Sequence, residues 1–234
     1  MNQEIAMNQT KMTVKIYEPL FKSFDDQMNR LCIKRDAFLN HMIKRETPNL
    51  AKELDGRRLS SSARRYISGS LKRMGTRTVN VVVDKETADA LNAVVDASNI
   101  VRDAFINRLI MFLRSADTVL DYFGMPKFIV PSDFDDWYEP MPTSPIKAME
   151  AVFMDPLYYL RIAAEERFDR GLYLLDMPEK FVGLSCYLDD SSVPGTKEYE
   201  EFMELGELML KALDNSENDA FGQGASATSP AKES

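Results

Sequence analysis

One histidine, one tryptophan and two cysteines in 234 residues leave little room for several kinds of chemistry. With His41 as the single imidazole, most zinc sites are excluded, and no partner for a Ser-His-Asp arrangement can be placed beside it. Cys32 and Cys186 stand far apart without a Cys-x-x-Cys spacing, so neither a zinc knuckle nor a disulfide framework is expected, and both read as buried thiols. Neither GxGxxG nor GxxxxGK[ST] occurs, which leaves no glycine-rich cradle for a nucleotide phosphate. No apolar run approaches about 18 residues, and the polar start MNQEIAMNQTKM lacks the hydrophobic core of a secretion signal. A cytoplasmic protein with no membrane partner is the expectation. Asp133, Asp135 and Asp136 resemble a magnesium-binding cluster in charge only. No lysine or histidine constellation accompanies them, so they read as an acidic surface loop. No cofactor, metal site or enzymatic activity is expected.

The chain does have a hydrophobic content of 44%, enough for a buried core, and a very uneven distribution of charge. The net charge of −8 conceals two opposed halves. Through Arg77 there are 16 Lys and Arg against 8 Asp and Glu; beyond it there are 13 against 29. A basic first half attracts polyanions, and an acidic second half repels them.

An internal repeat organises the first half. The segment Ile33 to Ile43 (IKRDAFLNHMI) matches Ile100 to Ile110 (IVRDAFINRLI) at an offset of 67, with seven of eleven positions identical. The same offset, carried back without a gap, places Met12, Val14 and Ile16 on Val79, Val81 and Val83. Polar and apolar residues alternate around both triplets, which predicts two short half-buried strands. Each strand precedes an amphipathic helix. Pro19 stands early in the first, whose apolar stripe is Leu20, Phe21, Phe24, Met28 and Leu31; Asp84 would cap the second, with Ala88, Leu91, Val94 and Val95. After turns at residues 31–33 and 97–99, the matching blocks begin second helices that bury Ala37, Phe38 and Ile43, and Ala104, Phe105 and Leu109. His41 and its counterpart Arg108 read as surface or interface positions.

Residues 46–77 separate the copies. Thr47-Pro48 predicts a helix start, Gly56 its end, and Ser60 to Met74 a further helix closed by Gly75. Arg57, Arg58, Arg64, Arg65, Lys72 and Arg73 crowd this insert, and Arg77 directly precedes the second strand, so a phosphate-binding patch is expected.

Strand, helix, turn and a helix opening on Arg-Asp, given twice, resembles the ribbon-helix-helix (Arc/MetJ/CopG-like) superfamily over residues 11–45 and 78–114. The resemblance implies that two strands pair antiparallel and enter the major groove of double-stranded DNA. With the apolar triplets turned inward, Lys11, Thr13 and Lys15 and, on the second strand, Thr78, Asn80 and Val82 face outward as base readers. It further implies a phosphate clamp at the start of each second helix, at Ile33-Lys34 and Ile100-Val101, assisted by Arg35 and Arg102. For these two arginines an internal pair with Asp36 or Asp103 is an equal alternative. Family members usually carry one copy and dimerise; two unlike copies on one chain predict an intramolecular pseudo-dimer, with pairing between chains left open.

The expected architecture is therefore mainly α with short β-strands. It has a flexible N-terminus (1–10), a tandem DNA-binding module (11–115), an acidic helical region for interaction or oligomerisation (116–215) and a disordered tail (216–234). Residues 117–145, rich in proline, read as partly irregular, with Trp137 and Tyr138 as either an interaction patch or packing residues. Asp155-Pro156 predicts a helix start and Gly171 its end; a last helix is expected from Lys197 to Leu213. The expected function is a sequence-specific DNA-binding regulator, a repressor that oligomerises on DNA, with antitoxin and plasmid transfer or partition factor as roles in the same class. The rival is a protein-interaction module that uses the ribbon for dimerisation and the acidic half for a basic partner.

Overall fold

Alternation of polar and apolar side chains produces two nine-residue strands, β1 (Gln9–Tyr17) and β2 (Thr76–Asp84). The computed structural model describes residues 8–125 and 144–222. Within them, β1 leads into α1 (Glu18–Arg30) and α2 (Arg35–Glu53), and α3 (Ser61–Arg73) leads into β2, α4 (Lys85–Ser98) and α5 (Arg102–Arg114). There follow α6 (Asp117–Phe123), α7 (Pro145–Met154), α8 (Tyr158–Phe168), two short 3-10 turns and α9 (Lys197–Gly222). The described residues are thus mainly helical with one antiparallel two-stranded sheet. None of their helices is long and apolar enough to cross a membrane. Two compact units are present, Met1–Leu188 and Asp189–Ser234.

In the first unit β1 and β2 pair from Gln9↔Asp84 to Tyr17↔Thr76. Thr13 and Asn80 face each other at the centre, and they are also equivalent positions of the repeat. A local twofold relation between the copies therefore passes through this pair. Met12, Val14, Ile16, Val79, Val81 and Val83 form the buried face beneath it. The flanking helices obey the same relation. Phe21, Phe24 and Met28 of α1 are buried at the positions that Ala88, Leu91 and Val95 occupy in α4. Both helices end on a left-handed residue, Cys32 (φ 56°) and Asn99 (φ 54°). The next N–H then reaches back into the helix, Ile33 to the Met28 carbonyl at 3.0 Å and Ile100 to the Val95 carbonyl at 3.2 Å.

Several local expectations are corrected. Strand β1 begins at Gln9, and the Lys85 N–H bonds the Asn8 carbonyl at 2.8 Å, so residues 8–10 belong to the ordered ribbon. Leu31 is 56% exposed because it follows the last turn of α1, where the helical stripe has ended. Ala37 and Cys32 are exposed as well. Pro48 opens no new helix but lies inside α2, where it deprives the Lys44 carbonyl of its helical donor; one residue earlier, Thr47 Oγ1 donates to the Ile43 carbonyl at 2.7 Å. Helix α8 starts at Tyr158, not at Asp155-Pro156. Residues 117–145, expected to be partly irregular, open with the helix α6. Asp133, Asp135, Asp136, Trp137 and Tyr138 lie outside the described residues.

The compact unit also continues past the boundary expected near Ser115, and a seam of buried polar groups is the reason. Arg108 is fully buried, donating from Nε to the Leu172 carbonyl at 2.8 Å and from Nη2 to the Leu175 carbonyl at 2.6 Å. Glu46, likewise fully buried, accepts from Arg161 Nη1 and from the Tyr173 hydroxyl, each at 2.8 Å. Glu53 accepts the Tyr173 N–H at 2.7 Å, and burial pushes its carboxyl above the ordinary value despite that bond and nearby Arg108. Burial alone would also raise the Asp155 carboxyl, but hydrogen bonds from Arg45 and Arg161 outweigh it and hold the group below its usual range. Gly171 leaves room for this carboxylate, since a Cβ there would approach the Glu53 carboxyl carbon to 2.1 Å and displace it. Residues 157–175 are thus fastened to the second helices of both copies.

In the second unit Thr196 Oγ1 accepts the Tyr199 N–H at 3.2 Å, starting α9. The helix runs to Gly222, past the end expected at Leu213 and into the expected tail; residues 223–234 lie outside the described residues.

Candidate nucleic-acid interface

The strands present their second face to solvent. Lys11, Thr13 and Lys15 on β1 and Thr78 and Asn80 on β2 are exposed, and Val82 is half-buried. The register sets Lys11 against Val82, Thr13 against Asn80 and Lys15 against Thr78. The six predicted base readers therefore form one contiguous two-by-three array. At its centre Thr13 Oγ1 donates to Asn80 Oδ1 at 2.9 Å. That bond fixes the amide and leaves its NH2 group available to an acceptor. Neither Lys11 nor Lys15 has a salt-bridge partner among the described residues.

Four polar residues shared by the two copies hold the ribbon in place, and none of them carried an expectation of a strand contact. Asn40 bridges Asp84 by accepting its N–H at 2.9 Å and donating to its carboxylate at 2.8 Å. Asn107, its counterpart, accepts the Tyr17 N–H and donates to the Lys15 carbonyl, each at 2.8 Å. Asp36 accepts the Val82 N–H at 3.0 Å. Asp103 does the same for Lys15; burial raises its carboxyl pKa, opposed by that N–H and then by Arg102 and the Lys15 side chain. Strand N–H and C=O groups are thereby satisfied by the second helices rather than left open. The signal was present in sequence, as Asp and Asn kept at the same place in both repeats where an apolar stripe needs neither.

The start of α2 lies at Lys34 (exposed), after half-buried Ile33. The start of α5 lies at Val101, after Ile100, both buried. Each first turn carries N–H groups without an intrahelical partner. The assisting arginines differ. Arg35 is held by Asp25 at 3.1 Å and Asp36 at 2.8 Å, whereas Arg102 meets neutral Asn92 at 3.5 Å, the counterpart of Asp25, and donates to the Thr13 carbonyl at 2.9 Å.

The insert cations are mostly engaged with the protein. Arg58 caps α4 by donating to the carbonyls of Asp96 and Ala97, and Arg64 donates to Asn99 Oδ1 at 2.9 Å, so both lie beside the turn before α5. Arg57 lies over the Tyr187 ring at 5.3 Å; Arg65 and Arg73 bond within α3, to the Ser61 carbonyl and to Ser70 Oγ. Lys72 is exposed. Arg77 has the inward parity of β2 and lies over Phe21, 5.5 Å from its ring centre, with Arg35 at 5.3 Å from the same ring. The insert thus does not add its arginines to the array itself; Arg58 and Arg64 extend the basic character of one flank. Arg108, expected at a surface or interface position, is wholly interior against the main chain of residues 172–175, and His41 stacks on Phe153 at 4.6 Å. No family model, curated protein or solved structure matches the chain.

Proposed function

We propose that the chain is a sequence-specific double-stranded DNA-binding regulator, a repressor, built as a ribbon-helix-helix pseudo-dimer within one polypeptide. The observation that carries this reading is the outward array Lys11-Thr13-Lys15 against Thr78-Asn80-Val82 on an antiparallel ribbon. A two-stranded ribbon has the width of the major groove, and these side chains suit base edges: Lys donates to guanine, Asn pairs in a bidentate way with adenine, and Val contacts a thymine methyl. The unpaired N–H groups at the starts of α2 and α5 suit a phosphate on either side. Because the two strands carry different readers, the target is an asymmetric site, approached in one orientation. Repression follows from occupancy of that site.

Selection of bound duplexes from a random library, followed by titration of the selected site, tests this. Asn80→Ala and Lys15→Ala are each expected to weaken the selected site by about 1–3 kcal/mol and random duplex less. Equal losses on both duplexes would remove the ribbon as the reader. Affinity for duplex is expected to fall steeply with salt, with a log-log slope of about −0.9 per phosphate neutralised. A salt-independent affinity would favour the interaction-module reading.

A further inference from the structure

Helix α9 has no use in DNA binding as proposed above, yet it carries the most exposed large apolar residues of the second unit. Phe202 is 61% exposed, Met209 62% and Leu210 64%, with Met203 and Leu205 also uncovered. At 3.6 residues per turn Tyr199, Phe202, Gly206, Met209 and Leu210 share one face, with Met203 and Leu205 on its edges. Glu200, Glu204 and Glu207 lie on the opposite side, where Leu208 is the one exposed large apolar residue among those described, while Glu198 and Glu201 border the apolar face along one edge. A solvated helix does not need an apolar face this wide, and such a face marks a contact surface.

Charge selects what covers it. Between Lys197 and Leu210 there are five glutamates and one lysine, and that lysine is already paired with Glu201 at 2.8 Å. Two copies of α9 packed face to face would bring glutamate borders together, and like charges along a helix pair are destabilising. A helix with a Leu-type face and lysine or arginine borders meets both requirements. We propose that α9 docks a basic amphipathic helix of a different protein, with Phe202 and Met209 as the anchors and the glutamates setting the sign of the partner.

Calorimetric titration of the full chain with two synthetic helices of about 18 residues, one Leu-faced with Lys borders and one Leu-faced with Glu borders, tests this. The Lys-bordered helix is expected to bind with micromolar affinity and the Glu-bordered one not to bind. The double variant Phe202→Ser/Met209→Ser keeps every charge and is expected to weaken the Lys-bordered helix by about tenfold or more, with duplex affinity unchanged. Undiminished binding to the double variant would show attraction to acidic surface alone and overturn the proposal. So would self-association in sedimentation that the same double variant abolishes, because a second copy would then be the occupant.

Discussion

His41 and Arg108 occupy the same place in the two strand-helix-helix copies, on the second helix and three residues after Phe38 and Phe105. His41 keeps part of its surface and stacks on Phe153, whereas Arg108 is fully buried against the main chain of residues 172–175. The copies agree where they face the ribbon and diverge where they face residues 144–188. Shared ribbon geometry constrains Asp36/Asp103 and Asn40/Asn107 to accept equivalent strand N–H groups, while the outer sides of α2 and α5 were free to take on unlike partners. A repeat can thus conserve an interface on one side of a helix and specialise the other.

Substituting the equivalent pair separately gives the largest contrast. Arg108→Leu would leave Glu53 without a neighbouring cation and two buried carbonyls without donors, so a loss of about 3–5 kcal/mol is expected in urea unfolding. His41→Leu is expected to cost under about 1.5 kcal/mol. Similar costs for both would mean that the guanidinium does not hold the C-terminal seam. On the shared side the prediction reverses, with Asn40→Ala and Asn107→Ala each costing about 1–3 kcal/mol. Asn107, fully buried and with three partners, belongs at the upper end. A negligible effect at either site would break the twofold relation as a source of stability.

The seam also predicts a pH signature with two signs. Glu53 has a folded pKa raised above its ordinary 4.5, so the folded state holds its proton longer. Stability tied to Glu53 is then greatest below the unfolded value and declines as pH rises through the interval up to the folded one; Glu53→Gln is expected to flatten that decline. Asp155 is shifted the other way, below 3.8, so its contribution is present above that value and is lost as pH falls through the folded pKa. Urea midpoints of wild type, Glu53→Gln and Asp155→Asn across acid pH separate the two. The smallest effect is expected from Asp25→Asn, which gives copy 1 the neutral residue that copy 2 has as Asn92. Arg35 would lose one of its two carboxylates, and the salt slope for duplex is expected to steepen by up to about 0.9, at a stability change under about 1 kcal/mol.

The ribbon was legible in sequence because strand periodicity and a 67-residue offset are regular signals, and both recur in the register through Thr13 and Asn80. The outward array followed from alternation alone. Pro48 misled because Thr-Pro is a helix start in most settings, whereas here α2 is carried through it by packing of Glu46, Thr47 and Leu50. The seam left no trace in sequence. Glu46 and Tyr173 are 127 residues apart, and a hydrogen bond between two polar side chains has no period and no spacing rule. Arg108 was expected at a surface or interface position, and the carbonyls of Leu172 and Leu175 that bury it lie 64 and 67 residues further along the chain.

Because β1 and β2 belong to one polypeptide, the ribbon forms in a unimolecular step. A ribbon shared between two chains dissolves on dilution, since its population follows mass action; this one is equally complete in a cell that holds ten molecules or ten thousand. The tether also uncouples the two edges in inheritance. A substitution in a symmetric dimer is always made twice, but a change at Lys15 here leaves Thr78 and its neighbours as they were, so each edge of the ribbon can drift on its own.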